Sequence, residues 1–179
     1  MYVMKALKRI SLLVLVSVIA GYFSCATKKN TARAEIQSAS GSTLTGEAVF
    51  EETSGGVKMT LTVQSATPGT HAVHLHESGD CTAPDATSAG PHWNPMEEPH
   101  GNRESGGEFH AGDIANLEVG DDGTGTLEIT AEEWTIGTST ATDVIGKAVI
   151  IHASPDDFVS QPAGNAGARV GCGVVVKGN

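Results

Sequence analysis

From Val57 to Val63 the chain reads Val-Lys-Met-Thr-Leu-Thr-Val, apolar at every second residue. A period of two is the pattern of a strand with one face in a core and the other in water. No helix could bury that set on one side. Leu44 to Phe50, Thr70 to His76, Ile114 to Val119, Gly125 to Ile129, Lys147 to His152 and Val170 to Val176 predict further strands of similar length. Gly55-Gly56 separates the first strand from Val57, and Asp121-Asp122-Gly123 stands where a hairpin would turn. No amphipathic helix or internal repeat interrupts this series, and Ala131-Glu132-Glu133-Trp134 predicts at most one helical turn. The class expected is an all-β sandwich or barrel.

Between the strands lie two long segments, Gly79 to Asp113 and Ala153 to Ala168, both rich in Gly, Pro, Asn and Ser. Loops of that length inside a folded domain usually carry function.

The amino terminus has a different character. Lys5, Lys8 and Arg9 precede the apolar run Ile10 to Ala20, as in a secretory signal, and the run is too short to span a bilayer. Tyr22-Phe23-Ser24-Cys25-Ala26 resembles a bacterial lipobox, with Tyr22 where leucine is usual. The expected organisation is a signal peptide over 1–24, a lipidated Cys25 with a flexible tether to residue 42, and one folded domain over 43–179. The domain would face the periplasm from a membrane anchor, or lie free in the periplasm if an ordinary signal peptidase cuts. The formal charge is −10, and removing the signal makes the remainder more acidic still, which argues against a nucleic-acid partner. If Cys25 is acylated, Cys81 and Cys172 remain as an even pair in an oxidising compartment, where a disulfide between them is expected over two free buried thiols.

Six of the seven histidines fall into a pattern that points to metal. On a strand, His74 and His76 project to one side while Val73 and Leu75 turn to the other, so one face offers two imidazoles to one ion. His152 ends a strand of its own. His92, His100, His110 and Asp113 lie in or at the end of the first long loop, which a bound metal would cross-link. Imidazole suits copper and zinc, and a carboxylate beside three imidazoles gives the closed tetrahedral set that zinc accepts. Seven ligands make two sites only if one is shared, and His92 is the natural candidate. His71 falls outside the set and reads as an ordinary strand-edge histidine.

Four stretches, in order, resemble the copper–zinc superoxide dismutases: His74-Leu75-His76-Glu77 with Gly79-Asp80-Cys81; Ser88-Ala89-Gly90-Pro91-His92-Trp93-Asn94-Pro95; His110-Ala111-Gly112-Asp113; and Gly164-Asn165-Ala166-Gly167-Ala168-Arg169-Val170-Gly171-Cys172-Gly173. The resemblance runs from about Leu44 to Val176. It implies a Greek-key β-barrel or sandwich, the architecture of that family, and disproportionation of superoxide to dioxygen and hydrogen peroxide. It implies copper on His74, His76, His92 and His152, zinc on His92, His100, His110 and Asp113, and a Cys81–Cys172 disulfide. It further implies that Asp156 links a copper histidine to a zinc histidine, that Arg169 draws superoxide to the open copper position, and that His92 carries a proton to the reduced oxygen. Relatives occur as monomers and as homodimers.

The chain departs from the better-known animal pattern in two places. Ala153 to Ala168 is short and has no lysine, and Gly101 to Phe109 differs between two zinc ligands. A non-catalytic copper- and zinc-binding or metal-delivery protein would account for the histidines equally well, but storage requires neither Arg169 in its motif nor a shared His92. A copper-only dismutase would lack His100, His110 and Asp113.

Overall fold

In the computed structural model, which describes residues 29–178, strands form wherever the alternation predicted them. They are β1 (Thr31–Ser38), β2 (Thr45–Thr53), β3 (Gly56–Gln64), β4 (Gly69–His76), β5 (Asp113–Val119), β6 (Gly125–Ala131), β7 (Ala148–His152), β8 (Arg169–Val174) and β9 (Val176–Lys177). The signal segment and Cys25 lie outside the described residues. Every pairing is antiparallel. The strand order is β2-β3-β6-β5-β4-β7-β8-β1, and β1 also pairs with β2, which closes the sheet into a barrel without free edges. β9 continues β8 beyond Val175 and adds to the other end of β1. β3 neighbours β6 and β4 neighbours β7, so the β3–β4 and β6–β7 connections cross over the barrel as a Greek key requires.

The alternation decides what faces inward. Val57, Met59, Leu61 and Val63 of β3 are buried with Val73 and Leu75 of β4, Phe50 of β2 and Ile151 of β7 in one continuous core. Large aromatics are few. Phe50 and Trp134 meet with ring centroids 6.0 Å apart, and most of the remaining volume is aliphatic. The helical turn expected over 131–134 is not formed: Ala131 ends β6, a turn follows, and Trp134 drops into the core with its indole N–H on the Ala111 carbonyl at 2.8 Å.

Two expectations need correction. The tether was expected to reach residue 42, yet Thr31–Ser38 is a barrel strand paired with β2 and β8. Its apolar residues Ala32, Ala34 and Ile36 alternate with Arg33, Glu35 and Gln37, and all three are buried. Small side chains there read as tether composition, whereas they are the period-two pattern of a strand packed against a crowded interior. The second correction concerns His71. It lies on β4, between β5 and β7 and not at an edge, and is buried with Nδ1 2.7 Å from the His152 carbonyl and Nε2 2.8 Å from that of Thr67.

β4 is buried on both faces, inward by the core and outward by the long loops. The first loop, 77–112, is fastened at several points. Cys81 is bonded to Cys172 on β8, with Cα atoms 5.8 Å apart and a sequence separation of 91. A cross-link closing so long a loop removes much freedom from the unfolded chain, worth about 4–5 kcal/mol on the chain-entropy relation. The Gly112 carbonyl accepts the Leu75 N–H at 2.8 Å, and its own N–H reaches the Trp93 carbonyl at 2.8 Å. A side chain at 112 would collide with the Leu75 carbonyl, so glycine is required for that close approach.

Candidate metal centre

His74 and His76 point outward from β4, beside His152 at the end of β7, and the loop lays His92 against them, forming a bridge between His76 and His92. One ligand nitrogen from each of these four buried histidines lies within 4.8 Å of the others. A second group within the same limit joins His92, His100, His110 and Asp113, also all buried. The structure therefore brings together every histidine and the aspartate expected from the spacing, with His92 in both groups.

The hydrogen bonds fix which nitrogen each ring presents. His76 donates from Nδ1 to the Gly90 carbonyl at 2.7 Å, leaving Nε2 for the centre. His74 donates from Nε2 to Asp156 Oδ2 at 2.7 Å and presents Nδ1. His152 Nδ1 is 3.3 Å from the Gly167 carbonyl. On the other side of His92, Nδ1 is 2.9 Å from Asp113 Oδ1 and 3.4 Å from His110 Nδ1. His100 Nδ1 is 3.0 Å from the same oxygen, without the alignment of a hydrogen bond.

Five buried ring nitrogens have no hydrogen-bond partner: His74 Nδ1, His76 Nε2, His92 Nε2, His152 Nε2 and His100 Nδ1. Buried polar atoms left unpaired are rare and costly. Four of these atoms are the copper-group nitrogens. An all-imidazole set facing one point fits copper, and three imidazoles with a carboxylate fit zinc.

Electrostatics suits that use. Burial pushes His76, His152 and His92 down, to about 2, about 3 and about 4, so the folded protein keeps them neutral, as a ligand must be. Burial also opposes charge on His100, but the Asp113 and Asp156 carboxylates lift it to about 9. Burial resists ionisation of those two carboxylates as well, yet the imidazoles placed against them, led by His100, hold both below the usual carboxylate range.

Asp156 stands behind both groups. Oδ2 accepts from His74, and Oδ1 is 2.9 Å from His100 Nε2, so one carboxylate joins a copper-group ring to a zinc-group ring. Its rival in the sequence, Asp157, is exposed and takes the N–H groups of Val159 and Ser160 instead.

The profile of the copper/zinc superoxide dismutase family matches residues 44–175. The chain belongs to this family. It is 41% identical over 131 residues to a copper–zinc superoxide dismutase of Brassica juncea, covering 70% of this chain and 84% of that one. It is 38% identical over 150 residues to one of Onchocerca volvulus, covering 77% and 92%. Among solved structures, a SOD-like protein from Bacillus subtilis superposes with a TM-score of 0.72 at 31% identity, over 80% of this chain and 97% of that one. With both ligand groups complete, this dismutase is a copper–zinc enzyme.

Several supports of the dismutase site were not singled out from the sequence. Asn116 on β5 exchanges two hydrogen bonds with the Asp156 backbone, at 2.8 and 3.0 Å. Gln161 does the same for His100, at 2.9 and 2.8 Å, so the second loop grips the first. Arg103 binds the Ala111 and Asp113 carbonyls at 2.7 and 2.8 Å, pairs with Glu133, and lies 4.6 Å from the Phe109 ring centroid. The one signal for Arg103 was a lone cation in a Gly- and Glu-rich loop.

Two predictions follow from this geometry. In the metal-free protein, His76, His92 and His152 stay neutral when folded but charge near pH 6.5 when unfolded. Their contribution is complete above about pH 6.5 and is lost as pH falls toward 4, by about 1.4 kcal/mol per pH unit per histidine. His100, raised, has the opposite sign, and its contribution is lost between about 6.5 and 9. Guanidinium unfolding at pH 7 and pH 5 should show the metal-free protein several kcal/mol weaker in acid; equal midpoints would contradict the neutral-ring assignment. Gly164 has φ +62, and a side chain there would strike the Asp156 carboxylate and come 2.8 Å from His100 Nε2. Gly164→Ala should therefore weaken zinc binding by about 10–100-fold in chelator competition, and unchanged affinity would show that the Asp156 bridge does not orient His100.

Proposed function

We propose that this protein disproportionates superoxide at a histidine-bridged copper and zinc pair while anchored in a bacterial cell envelope. The observation that carries the chemistry is His92, whose two nitrogens face two different ligand groups, Nε2 among the copper-group rings and Nδ1 against Asp113 and His110. Bound copper supplies the one-electron relay, taking an electron from one superoxide and returning it to the next. The chain's own residues supply position and protons. His74, His76, His92 and His152 would hold that copper, and His92 Nε2 would be placed to hand one proton toward the oxygen that becomes peroxide, with solvent providing the second. Asp113 holds the Nδ1 side of the ring at 2.9 Å beside His110, so the ring's position does not depend on what Nε2 binds.

Arg169 is the residue that meets the anion. It lines a cavity of about 630 Å³ with His76, His92 and His152. Its guanidinium is fixed by the Ala86 and Gly90 carbonyls, at 2.7 and 2.8 Å. Gly90 also accepts from His76, so one carbonyl sets both the arginine and a copper ligand. A half-buried guanidinium keeps its charge at any working pH, and burial lowers its affinity for a proton only from a very high start.

The envelope location rests on the charged and apolar run before Ser24, on Cys25 in its lipobox-like setting, and on a disulfide that favours an oxidising compartment. β1 begins at Thr31, which leaves five residues between Cys25 and the barrel.

Superoxide decay followed by pulse radiolysis, with copper and zinc at measured stoichiometry, tests the chemistry. Arg169→Ala should lower the second-order rate about tenfold and flatten its salt dependence, with metal content unchanged. Full occupancy with no acceleration over free-copper controls would instead identify a metal buffer. For the anchor, radiolabelled fatty acid should enter the wild-type chain in bacterial cells and not Cys25→Ser; equal labelling would dispose of the lipid attachment.

A further inference from the structure

Among the residues lining the mouth of the copper group, only two besides the histidines are ionisable: Arg169 and Glu77. Across from them, the loop 153–168 contributes Pro162, Ala163 and Gly167, and it holds no lysine or arginine at all. Among the described residues that line the mouth the arginine is thus the single fixed cation, Lys147 standing behind it with Nζ 3.4 Å from the Glu77 backbone carbonyl, and carboxylates sit on both sides of the carbonyls that anchor it.

Asp85 immediately precedes Ala86, whose carbonyl holds Arg169 Nη1. Its side chain is exposed but not loose. Oδ1 accepts the Thr87 N–H at 3.1 Å and the Thr87 hydroxyl at 2.7 Å, and Thr87 itself lines the mouth. Asp85 and the guanidinium form no ion pair, so the carboxylate's charge is not spent in a direct contact, yet each acts on the other's protonation through space. Glu77 flanks the second carbonyl. A side-chain carbon at Gly90 would come 3.1 Å from Glu77 Oε1.

An anion within a Debye length of the mouth, about 8 Å at physiological salt, feels all the charges there together. We propose that Asp85, together with Glu77, forms a fixed acidic rim that limits the rate at which superoxide reaches Arg169. The rim rests on the dismutase reading, and it gives this chain weak anion capture, in contrast to the steering for which the family is a known case. Arg169 orients what arrives; the rim sets how often it arrives.

Asp85→Asn tests this with little change of shape, because the amide oxygen can still accept from Thr87 and leave Ala86 in place. At equal copper and zinc content and low salt, the second-order rate by pulse radiolysis should rise about twofold in Asp85→Asn and again in the double variant with Glu77→Gln, and should fall more steeply with added salt than in the wild type. Azide binding to the copper form, followed by its absorption band, should tighten by a similar factor. A purely structural role for Asp85 would move neither the salt dependence nor azide affinity upward. An unchanged or lower rate, with an unchanged salt slope and azide affinity, overturns the rim. If the loaded wild-type protein fails to accelerate superoxide decay, the dismutase reading falls, while the azide titration still reports whether the rim repels anions.

Discussion

One buried carboxylate makes the two halves of the centre into a single object. Asp156 accepts from His74, which is carried by the barrel, and from His100, which is carried by a loop. A lone buried carboxylate would be driven toward its neutral form by desolvation. Here two imidazole N–H groups and the Phe158 backbone N–H hold it ionised. The consequence runs through both rings. With Nε2 engaged, His74 and His100 each have only Nδ1 left to offer, so which nitrogen faces the centre is settled before any ion arrives. Asp156 is itself fastened by Asn116, so the aim of two ligands is referred back to strand β5.

The division of labour between barrel and loops follows. Three of the four copper-group rings, His74, His76 and His152, sit on or at the end of adjacent paired strands, where backbone hydrogen bonds fix them in register. The zinc group has less of that help: Asp113 is the first residue of β5, and His92 is bridged through the backbone to His76. His100 and His110 lie in the loop and depend on links made by side chains, Gln161 to His100 and Arg103 to the Ala111 and Asp113 carbonyls, with the disulfide fastening the loop to β8. The unusual Gly101 to Phe109 run is where Arg103 does this, with its guanidinium over Phe109 and 5.3 Å from the Trp134 ring centroid.

What could be read from the sequence divides along the same line. Period-two alternation located the strands from residue 44 onward within a few residues, because burial on one face leaves a local mark. His74 and His76 were legible as a pair for the same reason. β1 escaped because Ala32 and Ala34 bury little, and a pattern written in alanine resembles linker composition. His71 shares the parity of the buried Val73 and Leu75, a local sign of its burial that its polar ring masked, and only its His152 carbonyl partner is distant in sequence. Gln161 and Asn116 were invisible for a related reason: each acts on a residue some 61 or 40 positions away. The ordered motifs carried the ligand set across those distances, which spacing alone could not do.

The same separation bears on how the centre assembles. A barrel closed by β1 between β2 and β8 already brings His74, His76 and His152 together, and burial above all keeps His76 and His152 uncharged. The zinc group is different, because Asp113 and His100 attract one another as carboxylate and imidazolium when no ion is present. An incoming cation must displace that proton, so occupation of this side is linked to pH in a way the copper rings are not. Asp113 also stands 2.9 Å from His92 Nδ1, so the carboxylate that attracts the zinc-group imidazoles fixes the shared ring beside the copper group.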